Sequence, residues 1–541
     1  MHLLYRIIEK NKALLLFIVL LIIHTSILAQ KRSRIQNTVM DRVTSGVKFE
    51  QYHLFTIRPK RSTAQLGAYQ SLILDRLALL QLKQQQPTQF QLSIPFKDQV
   101  VDLEFIKANI LDDSVKFYTV DALGKHVDPT FIPPVFYHGI IKDSDSSFVT
   151  ATITPASIHI YISYRKQNIQ VGSVNDKLLS SNDYGVFEDL PGNNDALPFV
   201  CGTNDGDSNP IANFSSSGSN GVQTYGGVIV RCFFDCAYTY FQQNGSAAAT
   251  YNRITTLFNQ AALLYGNESI NTSISEIRVW TSADPYDHSS RANGLSSFKN
   301  YVQNNYTGNL AMLCDYTVNR QSGLADAIGG LCVAYNANVN GPYIYNDLNY
   351  SNSFSNFPVA ADAPQTYLII HEIGHILGSR HTHWCGWTGG PIDNCAPVEG
   401  TCAAGPTPVT GTMMSYCCTN SAIRIDFNAG FGTQPGNAIR NFTYGSACLV
   451  NGTTICDSSL YLQGPITNTD YTRFEVSNQI TSTSVLSAGA NVLFDAGKVV
   501  MLEPGFHANA GSTLRVLNEG CGGIYAPVII KKIPKSGDAY K

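Results

Sequence analysis

Residues 371–381 read His-Glu-Ile-Gly-His-Ile-Leu-Gly-Ser-Arg-His, and this stretch decides how the middle of the 541-residue chain is expected to fold. His371 and His375 are four residues apart, so on a helix both imidazoles lie on one face and can reach a single ion. Gly378 follows three residues later, where a left-handed backbone conformation would end the helix and turn the chain back. His381 can then supply a third ligand.

The residue types in this stretch point to hydrolytic chemistry. Three histidine nitrogens are the ligand set of a zinc site that keeps one coordination position open for water. Glu372 directly follows the first ligand, so its carboxylate projects beside that position and can accept a proton as a general base. The stretch therefore predicts one catalytic zinc ion held by His371, His375 and His381, with Glu372 as the catalytic residue.

A second motif follows, because residues 411–416 read Gly-Thr-Met-Met-Ser-Tyr. The two motifs together resemble the metzincin clan of zinc endopeptidases, whose H-E-x-x-H-x-x-G-x-x-H helix is followed by a Met-turn. The resemblance implies that Met414 forms a packed floor under the imidazoles and is not a ligand. It also implies that Tyr416 lies near the metal, as an extra ligand or as a donor to the developing oxyanion. A buried tyrosine bonded to a nearby carbonyl is the alternative.

The chain does not match one metzincin branch throughout. Adamalysin/reprolysin-like members usually have aspartate after the third histidine and cysteine ahead of the methionine, whereas this chain has Thr382 and Thr412. Tyr416 is instead similar to the tyrosine of astacin-like and serralysin-like members. His383 adds a fourth imidazole, which we interpret as a supporting or exposed residue, because a fourth protein ligand would close the site to water.

The N-terminus is typical of a secretory signal peptide. Arg6, Lys10 and Lys12 precede the eleven apolar residues Ala13–Ile23, and a small residue, Ala29, marks the expected cleavage point. An apolar run of this length is too short to span a bilayer. We therefore expect a secreted protein without a transmembrane helix in its mature form, with attachment to the cell surface through the C-terminal part as an alternative.

Thirteen cysteines fit an oxidising destination, and their odd number predicts one unpaired thiol. Cys201 lies in Pro-Phe-Val-Cys-Gly-Thr (198–203), which resembles the P-x-x-C-G cysteine-switch motif of adamalysin-like propeptides. The resemblance implies that Cys201 binds zinc in a latent form and blocks the water position. The other twelve cysteines could then form up to six disulfides. The alternative is that Cys201 joins a disulfide and another cysteine is free.

The segment 203–224 is rich in Asn, Ser, Asp and Gly. Such a composition cannot bury a core and is where proteases cut. It predicts a flexible linker that an activating protease cleaves, between a propeptide at 30–202 and a catalytic domain at 225–450.

Strands and helices alternate from about residue 225, which is typical of an α/β (α+β) domain with a sheet. The predicted strands are 227–234, 274–281, 310–316 and 328–335, and the predicted helices are 247–265, 294–304 and 366–377. This order is similar to the metzincin upper subdomain, which implies a twisted mixed five-stranded sheet and a zinc helix. By the same resemblance, 327–332 would be the edge strand that binds an extended peptide. Residues 382–450, rich in Cys, Gly and Pro, are expected to form a small subdomain held by disulfides.

The flanking regions read as β structure. Residues 30–202 alternate apolar and polar side chains and predict a mostly β propeptide. In 451–541, Ala-Gly recurs at 488, 496 and 510 before strand-like runs, which predicts a small stack of β-rungs. This module resembles those appended to secreted bacterial proteins, implying attachment, export or substrate contact; an inert stabilising cap is the alternative.

The formal net charge of −3 gives no reason to expect a nucleic acid partner. The sequence therefore favours a secreted zinc endopeptidase, made as a latent zymogen, with a protein or peptide substrate. One alternative is a surface adhesin with a structural zinc site, and another is hydrolysis of a non-peptide amide or ester. No calcium motif is readable, so Ca²⁺ stays open, and the oligomeric state is not indicated.

Overall fold

The computed structural model describes residues 33–44, 46–58, 70–96, 99–144, 146–173, 182–188, 200–203, 223–224, 229–317, 321–349, 362–420, 423–446, 448–449, 459–467, 471–476 and 478–518. The predicted signal peptide (1–29) and residues 204–222 of the predicted linker lie outside the described residues. Within the described ranges, no helix is both long and apolar enough to cross a membrane.

The N-terminal part is built mainly of strands. In chain order its elements are α1 (Arg34–Thr44), β1 (Glu50–Tyr52), β2 (Phe55–Ile57), β3 (Gln70–Leu74), α2 (Arg76–Gln85), β4 (Gln89–Phe96), β5 (Gln99–Ala108), β6 (Leu111–Asp121), β7 (Gly124–Val127), β8 (Val135–Ile141), β9 (Phe148–Ile153), β10 (Ile158–Tyr164), β11 (Gln167–Ser173) and β12 (Asp183–Glu188). Ten of these strands form one sheet in the order β1-β4-β5-β8-β9-β10-β11-β12-β3-β2. Only the β1–β4 pair is parallel. In β4 the alternate residues Phe90, Leu92 and Ile94 are buried, because successive side chains of a strand point to opposite faces.

The next part, which the sequence predicts to be catalytic, is called the catalytic part below. Two short strands precede it, β13 (Val200–Cys201) at the end of the N-terminal part and β14 (Gln223–Thr224). Its own elements are β15 (Ile229–Cys236), α3 (Tyr238–Asn244), α4 (Ala247–Asn267), β16 (Asn271–Trp280), α5 (Arg291–Val302), β17 (Leu310–Asp315), β18 (Gln321–Ala325), β19 (Tyr343–Leu348), α6 (Asp362–Ile376), two 3₁₀ turns (Cys417–Thr419 and Phe427–Ala429) and α7 (Thr433–Tyr444). Its mixed sheet has the order β13-β18-β19-β17-β15-β16-β6-β7. Five of its eight strands, β15 to β19, come from the predicted catalytic domain at 225–450, and β6, β7 and β13 from the N-terminal part extend the sheet at both edges.

The edge strand on the cleft side differs from the predicted one. The sequence indicated 327–332, inside a strand at 328–335, because this run is almost entirely apolar. The structure has turns and no named strand over these residues, and it places the strand at β18. Gly329 has a φ of 74° and Cys332 a φ of 70°, so the backbone cannot stay extended there. The prediction was wrong because Gly329 and Cys332 turn the chain, which an apolar composition does not reveal.

The zinc-motif helix lies in the main core. Helices α4 and α6 pack against each other, and the Tyr265 hydroxyl of α4 donates a 2.8 Å hydrogen bond to the carbonyl oxygen of Ile370 in α6. Ile369 and Ile373 are fully buried. A helix buried on nearly all sides holds its side chains in fixed rotamers, so the histidines that it carries are rigidly placed.

The cysteine prediction needs correction. The described residues contain three disulfides, Cys332–Cys448, Cys385–Cys402 and Cys395–Cys417. The cysteines found free are Cys201, Cys232, Cys236, Cys314 and Cys418. Cys232, Cys236 and Cys314 are buried on the central strands β15 and β17, where a small apolar side chain packs well. Because these described cysteines are free, the six disulfides that the sequence allowed do not form; Cys456 and Cys521 lie outside the described residues.

The C-terminal part stacks short parallel strands. They are β20 (Ser459–Leu462), β21 (Pro465–Ile466), β22 (Tyr471–Val476), β23 (Gln479–Ser482), β24 (Val485–Leu486), β25 (Asn491–Ala496), β26 (Val499–Leu502), β27 (His507–Ala508) and β28 (Thr513–Leu517). Three ladders run β20-β23-β26, β21-β24-β27 and β14-β22-β25-β28. Corresponding strands of successive rungs begin about twenty residues apart, for example at Ser459, Gln479 and Val499. Phe474, Val492 and Phe494 fill the interior between the ladders.

Candidate metal centre

Two of the predicted ligands lie on helix α6. The imidazoles of His371 and His375 are fully buried, and their Nε2 atoms lie 3.2 Å apart. A backbone carbonyl orients each ring: the Met413 oxygen lies 2.8 Å from Nδ1 of His371, and the Ser379 oxygen lies 2.9 Å from Nδ1 of His375. Because these contacts place the proton on Nδ1, both Nε2 lone pairs point toward the same position.

The turn after α6 brings in the third predicted ligand. Gly378 has a φ of 94°, which confirms the left-handed residue predicted at the helix end. A Cβ atom at this glycine would lie 2.8 Å from Cβ of Phe442, so the close packing also requires glycine. The turn places Nε2 of His381 3.1 Å from Nε2 of His375.

Cys201 lies against the same three histidines. Its Sγ atom is 3.5 Å from Nε2 of His375, and the candidate ligand atoms of all four residues lie within 4.8 Å of one another. Strand β13 pairs in parallel with β18, which sets Cys201 opposite Gly323. Burial, and to a lesser degree the nearby Glu372, raises the pKa of the Cys201 thiol to about 11. Without a cation this thiol is therefore protonated at neutral pH.

The spacing of these four groups fits zinc. Tetrahedral zinc at ordinary Zn–N and Zn–S distances separates two nitrogens by about 3.3 Å and a nitrogen from a sulfur by about 3.6 Å. The nitrogen pairs lie at 3.1 and 3.2 Å and the sulfur–nitrogen pair at 3.5 Å. Imidazole and thiolate are also the donors that zinc prefers, and a bound zinc ion removes the proton from a coordinating thiol. These residues would therefore hold one zinc ion.

Glu372 sits beside the ligand cluster. Its side chain is fully buried, and burial raises its pKa to about 7, near the pH at which a general base works best. Contacts with the Cys201 side chain and the Ala325 backbone, and the nearby His381, oppose this rise without cancelling it. The position of Glu372 suits proton transfer to and from a bound reactant.

The Met-turn residues lie under and beside the histidines. Met414 is fully buried, and a Cβ at Gly374 would be 2.7 Å from its sulfur, so the thioether packs directly against α6. The Tyr416 ring lies with its centroid 4.9 Å from that of His381. Its hydroxyl donates to the Cys201 carbonyl oxygen at 3.2 Å and lies 3.4 Å from Nε2 of His381. Burial raises the pKa of Tyr416 well above its ordinary value, so the phenol remains a donor.

A carboxylate that the sequence reasoning missed supports the third histidine. Both oxygens of Glu399 lie 3.0 Å from Nδ1 of His381. His383, buried and stacked on His381 at 5.0 Å between centroids, approaches the same carboxylate at 3.5 Å. Cys385 and Cys402 flank Glu399 and are bonded to each other, which fixes this loop. No local spacing signals Glu399, because it lies eighteen residues beyond its partner in an irregular loop.

Replacing Glu399 tests this support. Glu399→Ala is expected to weaken zinc binding by about 10- to 100-fold, because His381 loses the group that orients it and increases its basicity. Glu399→Gln keeps an acceptor and is expected to lose less. Competition with a chromogenic chelator measures both affinities, and equal affinity in wild type and Glu399→Ala would contradict the role.

A second missed residue is Gly323 on β18. A Cβ atom here would overlap Oε1 of Glu372, so the edge strand can lie this close to the carboxylate only because residue 323 is glycine.

Gly323→Ala is expected to displace Glu372 and lower kcat for peptide hydrolysis by about 10- to 100-fold while zinc content stays unchanged. Gly266→Ala is the matched control, since a Cβ there meets nothing within 4 Å. Full activity in Gly323→Ala would show that the carboxylate has room to move without loss.

Known proteins were compared with the chain. Residues 228–425 match the model of Metallo-peptidase family M12. Among solved structures, the metalloproteinase-II of Bacteroides fragilis is 13% identical, with 59% of this chain and 89% of that chain covered at a TM-score of 0.34. No curated protein matches. The family match contains the histidine cluster and its glutamate, and the chain is a zinc metalloendopeptidase.

Proposed function

We propose that this zinc metalloendopeptidase is secreted as a latent precursor and cleaves peptide bonds within proteins, with Glu372 as its general base. The observation that carries the proposal is the convergence of His371, His375 and His381 beside a buried carboxylate at the edge of a sheet. A signal-peptide-like N-terminus and three disulfides support export to an oxidising compartment.

The chain's own residues suit peptide hydrolysis. When bound, zinc supplies Lewis acidity to the scissile carbonyl and to the attacking water. Glu372 accepts the proton of the water as it attacks and then delivers it to the leaving nitrogen, a transfer that its pKa of about 7 allows in both directions. Tyr416 keeps its phenolic proton and can donate a hydrogen bond to the oxyanion that forms.

The substrate is expected to bind along β18. This strand pairs with β19 on one side, and on the other side, among the described residues, only with the two residues of β13. A peptide that replaced β13 would gain the same backbone pairing and would present its carbonyl to the position that Cys201 occupies. Gly323 allows that backbone to lie directly beside Glu372.

Latency would come from Cys201. As a thiolate it would complete a four-ligand set with the three histidines and leave no coordination position for water. Thr203 reinforces the contact, because its hydroxyl donates to the Ala325 carbonyl oxygen at 3.3 Å and accepts from the Ala325 amide at 3.1 Å. Dissociation of this segment would open both the metal position and the edge strand.

The second candidate is a surface adhesin whose zinc site is structural. The closed set of three histidines and one cysteine favours it, since structural zinc sites have four protein ligands. The stacked C-terminal strands would then carry the binding function. The two candidates differ in what removal of the Cys201 segment does, because only the enzyme gains a water position.

One experiment distinguishes them. Precursor and processed protein are incubated with a peptide library, with and without a zinc chelator, and the cleavage positions are mapped by mass spectrometry. If the protein is an endopeptidase, the processed protein is expected to cleave peptides internally. The chelator should abolish this cleavage and added zinc should restore it. Processed protein that binds zinc and cleaves no peptide would leave the adhesin as the better description.

A further inference from the structure

The N-terminal part meets the catalytic sheet at both of its edges, and the two contacts differ greatly in size. On the cleft side, β13 pairs with β18 over two residues. On the far side, β6 pairs in parallel with β16 from Ile274 to Trp280, with one irregularity in the register. The Ile274 amide donates to the Ile110 carbonyl oxygen and the Thr281 amide to that of Val120, each at 2.8 Å.

Side chains strengthen the far contact. The Phe117 ring of β6 packs edge-on against Tyr251 of helix α4 at 5.3 Å, and Phe131 joins the same cluster. The Arg231 Nε atom lies 2.6 Å from a carboxylate oxygen of Asp112. The ammonium group of Lys125 lies 2.5 Å from the carboxylate of the buried Glu276. Removal of β6 and β7 would leave apolar rings and a buried carboxylate without these partners.

The same part also covers the helical layer. Arg34 of α1 donates to the Gly266 carbonyl oxygen at 3.3 Å and to Asn271 Oδ1 at 3.1 Å. The amide side chain of Asn259 in α4 donates to the Ala151 carbonyl oxygen of β9 at 3.1 Å. Residues of α1 and of strands β5, β6, β8, β9 and β10 belong to one hydrophobic core together with the catalytic helices.

A third contact joins the N-terminal sheet to the 3₁₀ turn Phe427–Ala429. Phe148 and Tyr161 of the N-terminal sheet pack against Phe427, with ring centroids 5.7 and 5.5 Å apart. The Asn428 side chain donates to the Ser163 carbonyl oxygen at 2.8 Å. The N-terminal part therefore holds three sides of the catalytic part through contacts that do not involve Cys201.

We propose that residues 33–173 remain bound to the catalytic part after the chain is cut between 204 and 222, so that the protein works as a two-chain complex. The N-terminal part supplies a sheet strand and part of the core, so its dissociation is unfavourable in free energy. Dissociation would expose an open strand edge and buried aromatic rings. One consequence of this proposal rests on the proposed function: if Cys201 is the latency ligand, it stays attached to the bound N-terminal part after the cut.

A tethered ligand rebinds at high effective concentration. A cut after Cys201 alone would therefore leave peptide hydrolysis low, and a second cut between 189 and 199 would free the cysteine segment and raise it. The retained N-terminal part would be present in both the latent and the active form.

Retention is tested without catalysis. A site for an added specific protease is placed between 204 and 222 in the full chain carrying Glu372→Ala, the chain is cut, and the product is passed over a size-exclusion column in 1 M salt. Both fragments are expected in one peak, and elution of the N-terminal fragment by itself would overturn the proposal.

Phe117→Ala is expected to release more of this fragment than the matched Leu123→Ala, because Leu123 is 88% exposed. Equal release of the N-terminal fragment from the two variants would refute the role assigned to β6. The elution result for the chain without either substitution stands even if a variant fails to fold.

The tether is tested with Glu372 intact. One chain receives the site between 204 and 222, another a site between 189 and 199, and a third both, and peptide hydrolysis is measured after cutting. Low activity from the first and at least about tenfold higher activity from the third supports the tether. Full activity from the first chain with both fragments still together would overturn the tether. If no form cleaves peptide, including Cys201→Ala, the proposed function fails while the elution result still decides retention.

Discussion

Glu372→Ala is expected to lower kcat/KM for peptide hydrolysis by about 10²- to 10⁴-fold, the usual contribution of a positioned general base. The loss follows from geometry, because the carboxylate is buried beside the histidine cluster and its pKa of about 7 suits both acceptance and release of a proton. Zinc content is expected to stay at one ion per chain, since the ligand atoms of His371, His375 and His381 are untouched. The measurement is steady-state cleavage of a fluorogenic peptide by processed protein, with metal analysis of the same sample.

Two controls make this result specific. Glu372→Gln keeps the size of the side chain and is expected to be as inactive as the alanine variant, because an amide cannot accept the proton. Asp113→Asn removes an exposed carboxylate of strand β6, on the side of the sheet away from β18, and is expected to keep the rate within about twofold. Turnover near the wild-type level in Glu372→Ala, abolished by chelator, would mean that another group activates the water.

Cys201→Ala is expected to make the uncut precursor active. A tethered thiolate binds at millimolar effective concentration, and tethering raises apparent affinity by about 10²- to 10⁴-fold over that of a free thiol. Removing it is therefore expected to raise the precursor's peptide hydrolysis by about 100-fold. The residual pairing of β13 with β18 would still compete with substrate, so we expect a higher KM than in the processed protein.

The matched control lies in the same segment. Thr203→Ala removes both hydrogen bonds to Ala325 and leaves the thiol in place, so the precursor is expected to stay latent. A second readout is cobalt substitution, because a cobalt–thiolate charge-transfer band is expected in the wild-type precursor and not in Cys201→Ala. An inactive Cys201→Ala precursor that becomes active on processing would assign latency to steric cover alone.

The parts of the site that the sequence predicted are those encoded by local spacing. His371 and His375 share a helix face because they are four residues apart, and Gly378 ends the helix because glycine accepts a positive φ. Helix α6 begins at Asp362, four residues before the predicted start, because helix boundaries are the least well determined part of a sequence pattern. Strand β19 was not predicted because Asn346 and Asp347 interrupt the apolar pattern, although all six residues of the strand are buried.

The parts that the sequence did not predict depend on distant pairing. The joining of β6 to the sheet of the catalytic part was not predicted, because nothing in Leu111–Asp121 distinguishes a strand of the N-terminal sheet from one that pairs with β16. Glu399 reaches His381 only through a loop whose path its disulfide sets. The edge strand Gln321–Ala325 contains a glycine and two polar residues, so its role follows from position and not from composition.

The disulfides add an environmental control on the enzyme. All three described bridges lie in or reach the irregular half below the histidines, whereas the cysteines on the described central strands are free. Closing the loop of 116 residues between Cys332 and Cys448 alone stabilises the fold by about 4 to 5 kcal/mol in the chain-entropy description. A thiol-rich surrounding would therefore loosen the floor of the site and spare the sheet above it. The floor of the site would therefore reach its full stability only where the surroundings are oxidising.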